Sequence, residues 1–139
     1  VYKRQEERKG NFTMNRRTTE ISQCELTVMK CIWDLKAETG EVTCAQVMEK
    51  LKEDYGLTYK DTTVYTFLKN LINKGFVSSE KKGITYYTPI RKEEDYRTDL
   101  LKQSKKFWFN DSVADFVEAV LKLDTITAED KKKIKGLIK

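Results

Sequence analysis

The 139 residues include no histidine. The commonest general base and the commonest metal-ligating side chain are therefore both missing. Cysteine is scarce: Cys24, Cys31 and Cys44 are an odd number at spacings that match no zinc pattern. Reduced, mostly buried thiols are expected rather than a metal site or a redox switch. No apolar run approaches the roughly 20 residues that a membrane span needs. Val1 to Asn15 carries charges without an apolar core, so it does not read as a secretory signal, and the cytoplasm is the expected compartment. There is no glycine-rich phosphate loop and no nucleophile with an evident base partner. The clustered acids Glu93-Glu94-Asp95 and Glu129-Asp130 read as helix-start charges favoured by the macrodipole. An enzyme is thus the least expected class, and neither a cofactor nor a metal is expected.

What is present is charge, at 35% of residues against 39% hydrophobic, a balance that suits a helix-rich globular chain. The net charge of +5 says little about nucleic acid, but its distribution says more. Residues 1–20 carry net +3, residues 21–57 net −3, residues 58–90 net +3 and residues 91–139 net +2. The sign turns near Thr58, so an anion-binding face is expected after that point.

Residues 1–19 lack apolar periodicity and read as a disordered extension. Met14 is a candidate natural start, and Arg16 and Arg17 are candidate phosphate contacts. Ser22 and Glu25 have capping-box spacing. Leu26, Met29, Ile32 and Trp33 then recur on one helical face, ending by Lys36 before a loop at Glu38-Thr39-Gly40. A second box, Thr43 with Gln46, opens a helix with Ala45, Val47, Met48 and Leu51 on its apolar side, closed by Tyr55-Gly56. A third helix runs from Lys60 or Asp61 to Lys74-Gly75 around Val64, Phe67, Leu68, Leu71 and Ile72. Phe76 to Ser79 and Ile84 to Thr88 read as a hairpin with a basic turn at Lys81-Lys82-Gly83, closed by Pro89. Helices follow over residues 92–108, over Ser112 to Lys122, and after a Thr127 cap.

The fold class expected from this order is mainly α with a small β-hairpin: a winged helix-turn-helix domain over residues 20–90, then a helical dimerisation tail over residues 91–139. In a winged helix the third helix enters the major groove, its first half toward base edges. Thr62, Thr63 and Thr66 can offer hydroxyls to bases or phosphates and methyl groups to thymine, and Tyr65 can do either. Lys69 and Lys74 suit phosphates, and Lys81 and Lys82 sit where a wing reaches the backbone. In the tail, Leu100, Phe107, Trp108, Phe109, Val113, Phe116, Val117, Val120, Leu121, Ile134 and Leu137 are too many apolar groups for helices this short. Burial against a second copy resolves that. A winged helix that docks proteins without touching DNA is the alternative, with its partner surface around Phe107 to Phe109.

From Ile21 to the C-terminus the chain resembles the BlaI/MecI/CopY family of bacterial repressors. The resemblance is carried by Ile21-Ser22 with Glu25, Val28-Met29 and Ile32-Trp33. It continues through Thr62-Thr63-Val64-Tyr65-Thr66-Phe67-Leu68, then Leu71, Lys74-Gly75 and Tyr87-Thr88-Pro89. Ser112-Val113 with Phe116, and Thr127 to Leu137, resemble the family's dimerisation helices. The resemblance implies a homodimer on a palindromic double-stranded DNA operator that controls β-lactam resistance or copper-handling genes. In the β-lactam branch a membrane sensor protease triggers cleavage between an asparagine and a phenylalanine. That bond falls at Asp115–Phe116, where Asp115 replaces the asparagine. The copper branch binds metal through a cysteine-rich tail, and this tail has no cysteine.

Overall fold

The structure, a computed structural model, describes residues 21–138. The expectations for residues 1–19, including Arg16 and Arg17, lie outside the described residues. Six helices and one two-stranded sheet are described: α1 (Gln23–Thr39), α2 (Cys44–Tyr55), α3 (Asp61–Asn73), β1 (Val77–Lys82), β2 (Ile84–Pro89), α4 (Glu93–Phe109), α5 (Val113–Leu121) and α6 (Ala128–Leu137). The first compact unit ends at Leu100 and the second begins at Leu101. α4 runs through both units.

Both capping boxes form. The Ser22 hydroxyl accepts from the Glu25 amide while Glu25 accepts from the Ser22 amide, and Thr43 and Gln46 do the same for α2. α1 runs past Lys36 to Thr39, which corrects the expected loop. Leu35 is buried and extends the apolar face, and the Thr39 hydroxyl donates to the Leu35 carbonyl at 2.9 Å. Gly40, at φ 80°, then takes the left-handed cap that a side chain would resist. In α2 the buried face is Cys44, Val47 and Leu51, while Ala45 is exposed.

The core of the first unit gathers Val28, Met29, Ile32, Val47, Leu51, Val64, Leu68, Leu71 and Phe76, all essentially without solvent contact. Three helices thus share one apolar centre, with the hairpin closing one side.

That hairpin is longer than expected. Val77 pairs with Pro89 and Lys82 with Ile84, so Lys81 and Lys82 belong to the β1 ladder, and Gly83 alone, at φ 79°, reverses the chain. A third, short strand contact was not foreseen: Thr43 bridges Tyr86, and the Tyr87 amide donates to the Val42 carbonyl at 2.8 Å. The start of α2 therefore anchors the base of the hairpin.

After the hairpin the chain is held down by Phe76. Its carbonyl accepts from Ile90 at 2.8 Å, and the Arg91 guanidinium lies 5.0 Å over its ring. Trp33 Nε1 donates to the Arg91 carbonyl at 2.8 Å, and Lys30 pairs with Glu93. Tyr96 is buried edge-on to Phe76, and Leu100 packs against the same core. Leu100, expected in a dimer contact, is partly buried against the first unit's own core. Helical periodicity marked it as apolar but could not say which body it faces.

In the second unit, Asn110 and Asp111 take left-handed backbone angles (φ 50° and 66°) that turn the chain between α4 and α5. Lys105 pairs with Asp111 at 2.9 Å, and Phe109 stacks on Phe116 at 5.2 Å. From Leu101 to Ile138 no residue is buried. Among the described residues no helix is long and apolar enough to cross a membrane.

Candidate nucleic-acid interface

α3 starts without a side-chain cap. Lys60 is the N-cap residue, and its carbonyl accepts from the Thr63 and Val64 amides at 3.0 and 3.1 Å. Asp61 covers a further orphan donor, its Oδ1 accepting from the Thr62 amide at 2.7 Å. Val64, Leu68 and Leu71 are buried at spacings of four and three, which turns Thr62, Tyr65, Thr66 and Lys69 outward. Thr63 is half-buried at the edge of that face.

The outward groups are not equivalent. The Thr66 hydroxyl donates back to the Thr62 carbonyl at 3.0 Å, which leaves its methyl group and lone pairs to the outside. The Tyr65 phenol neighbours the Cys44 thiol at the start of α2, while half of the side chain stays exposed. The hydroxyls of Thr62 and Thr63 have no side-chain partner among the described residues.

Cys44, Tyr65 and Tyr87 meet where α2, α3 and the hairpin converge. Burial pushes the Cys44 thiol up, against the opposing effect of Tyr65, and burial pushes the Tyr87 phenol up as well. The Tyr65 phenol is raised chiefly by the neighbouring Cys44. All three are shifted toward their neutral forms, so the junction is an uncharged one. Cys31, in the core, is pushed up to about 11 by burial. Cys24 is exposed, its sulfur 3.7 Å from the Tyr59 hydroxyl.

Lys74 is placed differently from the other candidate phosphate ligands. Its Nζ lies 2.7 Å from Glu25 Oε1, and Asn70 Nδ2 donates to Glu25 Oε2 at 3.0 Å. Glu25 is the one buried charged residue among those described, at 5% exposure. Burial alone would raise its carboxyl, but hydrogen bonds from Lys74, the Ser22 amide and Asn70, with the Lys74 charge, outweigh it and hold the pKa below the ordinary value. Lys74 therefore fastens the last turn of α3 to the first turn of α1. The spacing of Glu25 announced only its capping role. Its second role depends on a partner 49 positions away.

This pair has a pH signature. A depressed folded-state pKa means that Glu25 contributes stability in full above the unfolded carboxyl value of about 4.3. The contribution is lost as pH falls through the lower folded value. Glu25→Gln is expected to cost about 1–3 kcal/mol at neutral pH and to flatten the acid limb of the stability curve, measured by urea unfolding from pH 7 to pH 2.

On the hairpin, strand alternation separates the two lysines. Lys81 shares a face with Ser79 and the buried Val77, opposite Thr85. Lys82 lies on the other face beside Glu80, 3.7 Å away. Both are exposed, but Lys81 is the one without an acidic partner among the described residues. Two residues at the head of α3 were absent from the expected set, Lys60 and Asp61, both exposed. The charge reversal near Thr58 is a signal for Lys60, but it runs against Asp61.

Among the described residues no group of three or more potential ligands could hold a metal ion. In the second unit Phe107, Trp108, Val113, Val117, Val120, Leu121 and Leu137 are exposed, while Phe109, Phe116 and Ile134 are half-buried. Asp115 is exposed, and its amide donates to the Ser112 cap at 3.1 Å.

Comparison with known proteins gives this arrangement a lineage. The chain is 29% identical over 112 residues to the penicillinase repressor of Bacillus licheniformis, covering 80% of this chain and 83% of that one. It is 33% identical over 72 residues to an uncharacterised 16.5 kDa protein of Latilactobacillus sakei, covering 50% of this chain and 44% of that one. The solution structure of the DNA-binding domain of the repressor BlaI is 32% identical, with a TM-score of 0.45 over 60% of this chain and 94% of that one. The family model described as penicillinase repressor matches residues 21–139, and it describes repressors rather than enzymes. The chain belongs to the penicillinase repressor family.

Proposed function

We propose that this chain represses transcription as a homodimer on a palindromic DNA operator, with α3 of each copy in a major groove and the hairpin on the flanking backbone. The observation that carries this reading is the outward face of α3, where Thr62, Tyr65, Thr66 and Lys69 stand clear of the core beside a hairpin tied to the same junction. Thr62 and Thr63 supply the hydroxyls for base edges, Tyr65 and Thr66 present apolar surface to thymine methyl groups, and Lys69, Lys81 and Lys82 neutralise phosphates. Lys74 is left out of the contact set because it is paired with Glu25.

The second unit supplies the dimer. It has apolar faces on α5 and α6 and no buried residue of its own, so a second copy is the partner that completes its interior. The family name points to β-lactam resistance genes as the regulated set, and a cytoplasmic location follows from that role. A membrane sensor protease system is the inducing partner this reading implies. Its bond, Asp115–Phe116, lies inside α5 with Phe116 stacked on Phe109, so cutting requires that α5 first open locally.

The test is a mobility-shift titration on a duplex that the wild-type chain has selected from a random pool. Thr62→Ala with Thr63→Ala is expected to weaken the selected duplex about 10- to 100-fold and leave random duplex binding unchanged. Lys81→Ala is expected to weaken both equally and to reduce the logarithmic salt slope by about 1. Selected-duplex binding that survives the threonine substitutions intact would remove α3 from the groove.

A further inference from the structure

Asp61 introduces a negative charge at the head of a helix otherwise lined with hydroxyls and cations. It is exposed, and it pairs with no cation among the described residues. Its orientation is fixed, because Oδ1 is bound to the Thr62 amide at 2.7 Å. Of the neighbouring hydroxyls, that of Thr66 is engaged inward by the Thr62 carbonyl, and that of Tyr65 lies further along the helix beside the Cys44 thiol. At the tip of α3 the uncommitted polar groups among the described residues are the second oxygen of Asp61, the hydroxyls of Thr62 and Thr63, and the Lys60 ammonium, of which the Asp61 oxygen alone is anionic.

We propose that Asp61 is a specificity-determining residue that reads a cytosine in each operator half-site. The inference rests on the reading that α3 enters a major groove. Within a groove, a carboxylate cannot approach the phosphates without repulsion, so its place is over the base edges. A carboxylate only accepts hydrogen bonds. The major groove offers two donors, the amino groups of cytosine and adenine. Beside the adenine amino group stands N7, an acceptor that repels a carboxylate; the cytosine edge has no such neighbour. The same carboxylate disfavours guanine and thymine at that position, because both present acceptors there. It also lowers affinity for random duplex, so the residue gains discrimination at the expense of general attraction.

A purely structural role is the rival explanation, since an acid in the first turn also favours the helix dipole. Asp61→Asn separates the two. The amide oxygen still accepts from the Thr62 amide, so the helix start is kept, while the charge is removed and a donor is added. Full-length wild-type and Asp61→Asn chains are each used to select duplexes from a random pool.

The wild-type pool is expected to hold one cytosine per half-site that the variant pool loses, with the other positions alike. Replacing that cytosine should weaken the wild type about tenfold and the variant less than twofold. Asp61→Ser, which also accepts from the Thr62 amide, is expected to lose the same preference and covers a variant that fails to fold. If both pools keep the same base at every position, the assignment of Asp61 is overturned while the DNA reading stands. If neither chain enriches any duplex, the DNA reading itself fails.

Discussion

A chain carrying Val117→Asp and Val120→Asp is expected to run as a monomer in analytical ultracentrifugation and to bind a complete operator about 10²- to 10⁴-fold more weakly than the wild type. Both valines are exposed on α5, at 42% and 50%, so placing a carboxylate there disturbs no interior within one copy. In a dimer the same two positions become buried, and an unpaired charge in an apolar interface is costly. The loss of affinity arises because two weak contacts no longer act as one. Binding to an isolated half-site is therefore expected to stay within about twofold of wild type. That control separates a broken dimer from a damaged DNA-binding unit. A double variant that remains dimeric would show that α5 faces solvent, and would move the interface elsewhere. The wild type should also show an unfolding midpoint that rises with protein concentration, as linked dimer dissociation requires.

Phe76→Ala is expected to destabilise the first unit by about 3–5 kcal/mol. For a unit of this size that lowers the unfolding midpoint by more than roughly 15 °C, read by calorimetry. Phe76 has no solvent contact, lies edge-on to Tyr96 at 5.7 Å, and sits beneath the Arg91 guanidinium. Truncation leaves a cavity and removes both ring contacts, and the neighbours belong to different elements, so they cannot all collapse into the space. Phe76→Leu keeps most of the volume and should cost about 1–2 kcal/mol. The ordering of these two variants tests the packing argument. Equal losses would mean that the ring contacts, not the filled volume, dominate.

The parts of this fold that were legible in sequence are those decided within one or two helical turns. Ser22 with Glu25 and Thr43 with Gln46 announced two helix starts, and both boxes form. Gly75, just past the third helix, marked its exit. The buried stripe of α3 followed from spacing alone. What was hidden depended on partners far along the chain. Leu100 reads the same whether it meets its own core or a second copy. Lys74 reads as a free cation until Glu25 is placed against it. The Thr43–Tyr86 bridge joins segments that share no local pattern.

The candidate site was half legible for the same reason. Periodicity turned Thr62, Thr63, Tyr65, Thr66 and Lys69 outward; four of them are exposed, and Thr63 is half-buried. Periodicity could not show that Tyr65 neighbours Cys44, nor that Lys81 and Lys82 sit on opposite faces of the hairpin rather than together at a turn. Asp61 marks a helix boundary in the sequence, and only the bond from the Thr62 amide to Oδ1 shows which of its oxygens is left over.

The bridge between Thr43 and Tyr86 has a kinetic consequence. Because the start of α2 is bridged to the hairpin and α2 also packs against α3, the spacing between α3 and the hairpin is set before any duplex arrives. On the proposed mode of binding, docking then demands correct orientation but little internal rearrangement, so encounter rather than folding is expected to govern the association rate. An operator whose groove is too wide or too narrow for that preset span must itself deform, and the price of misfit falls on the nucleic acid.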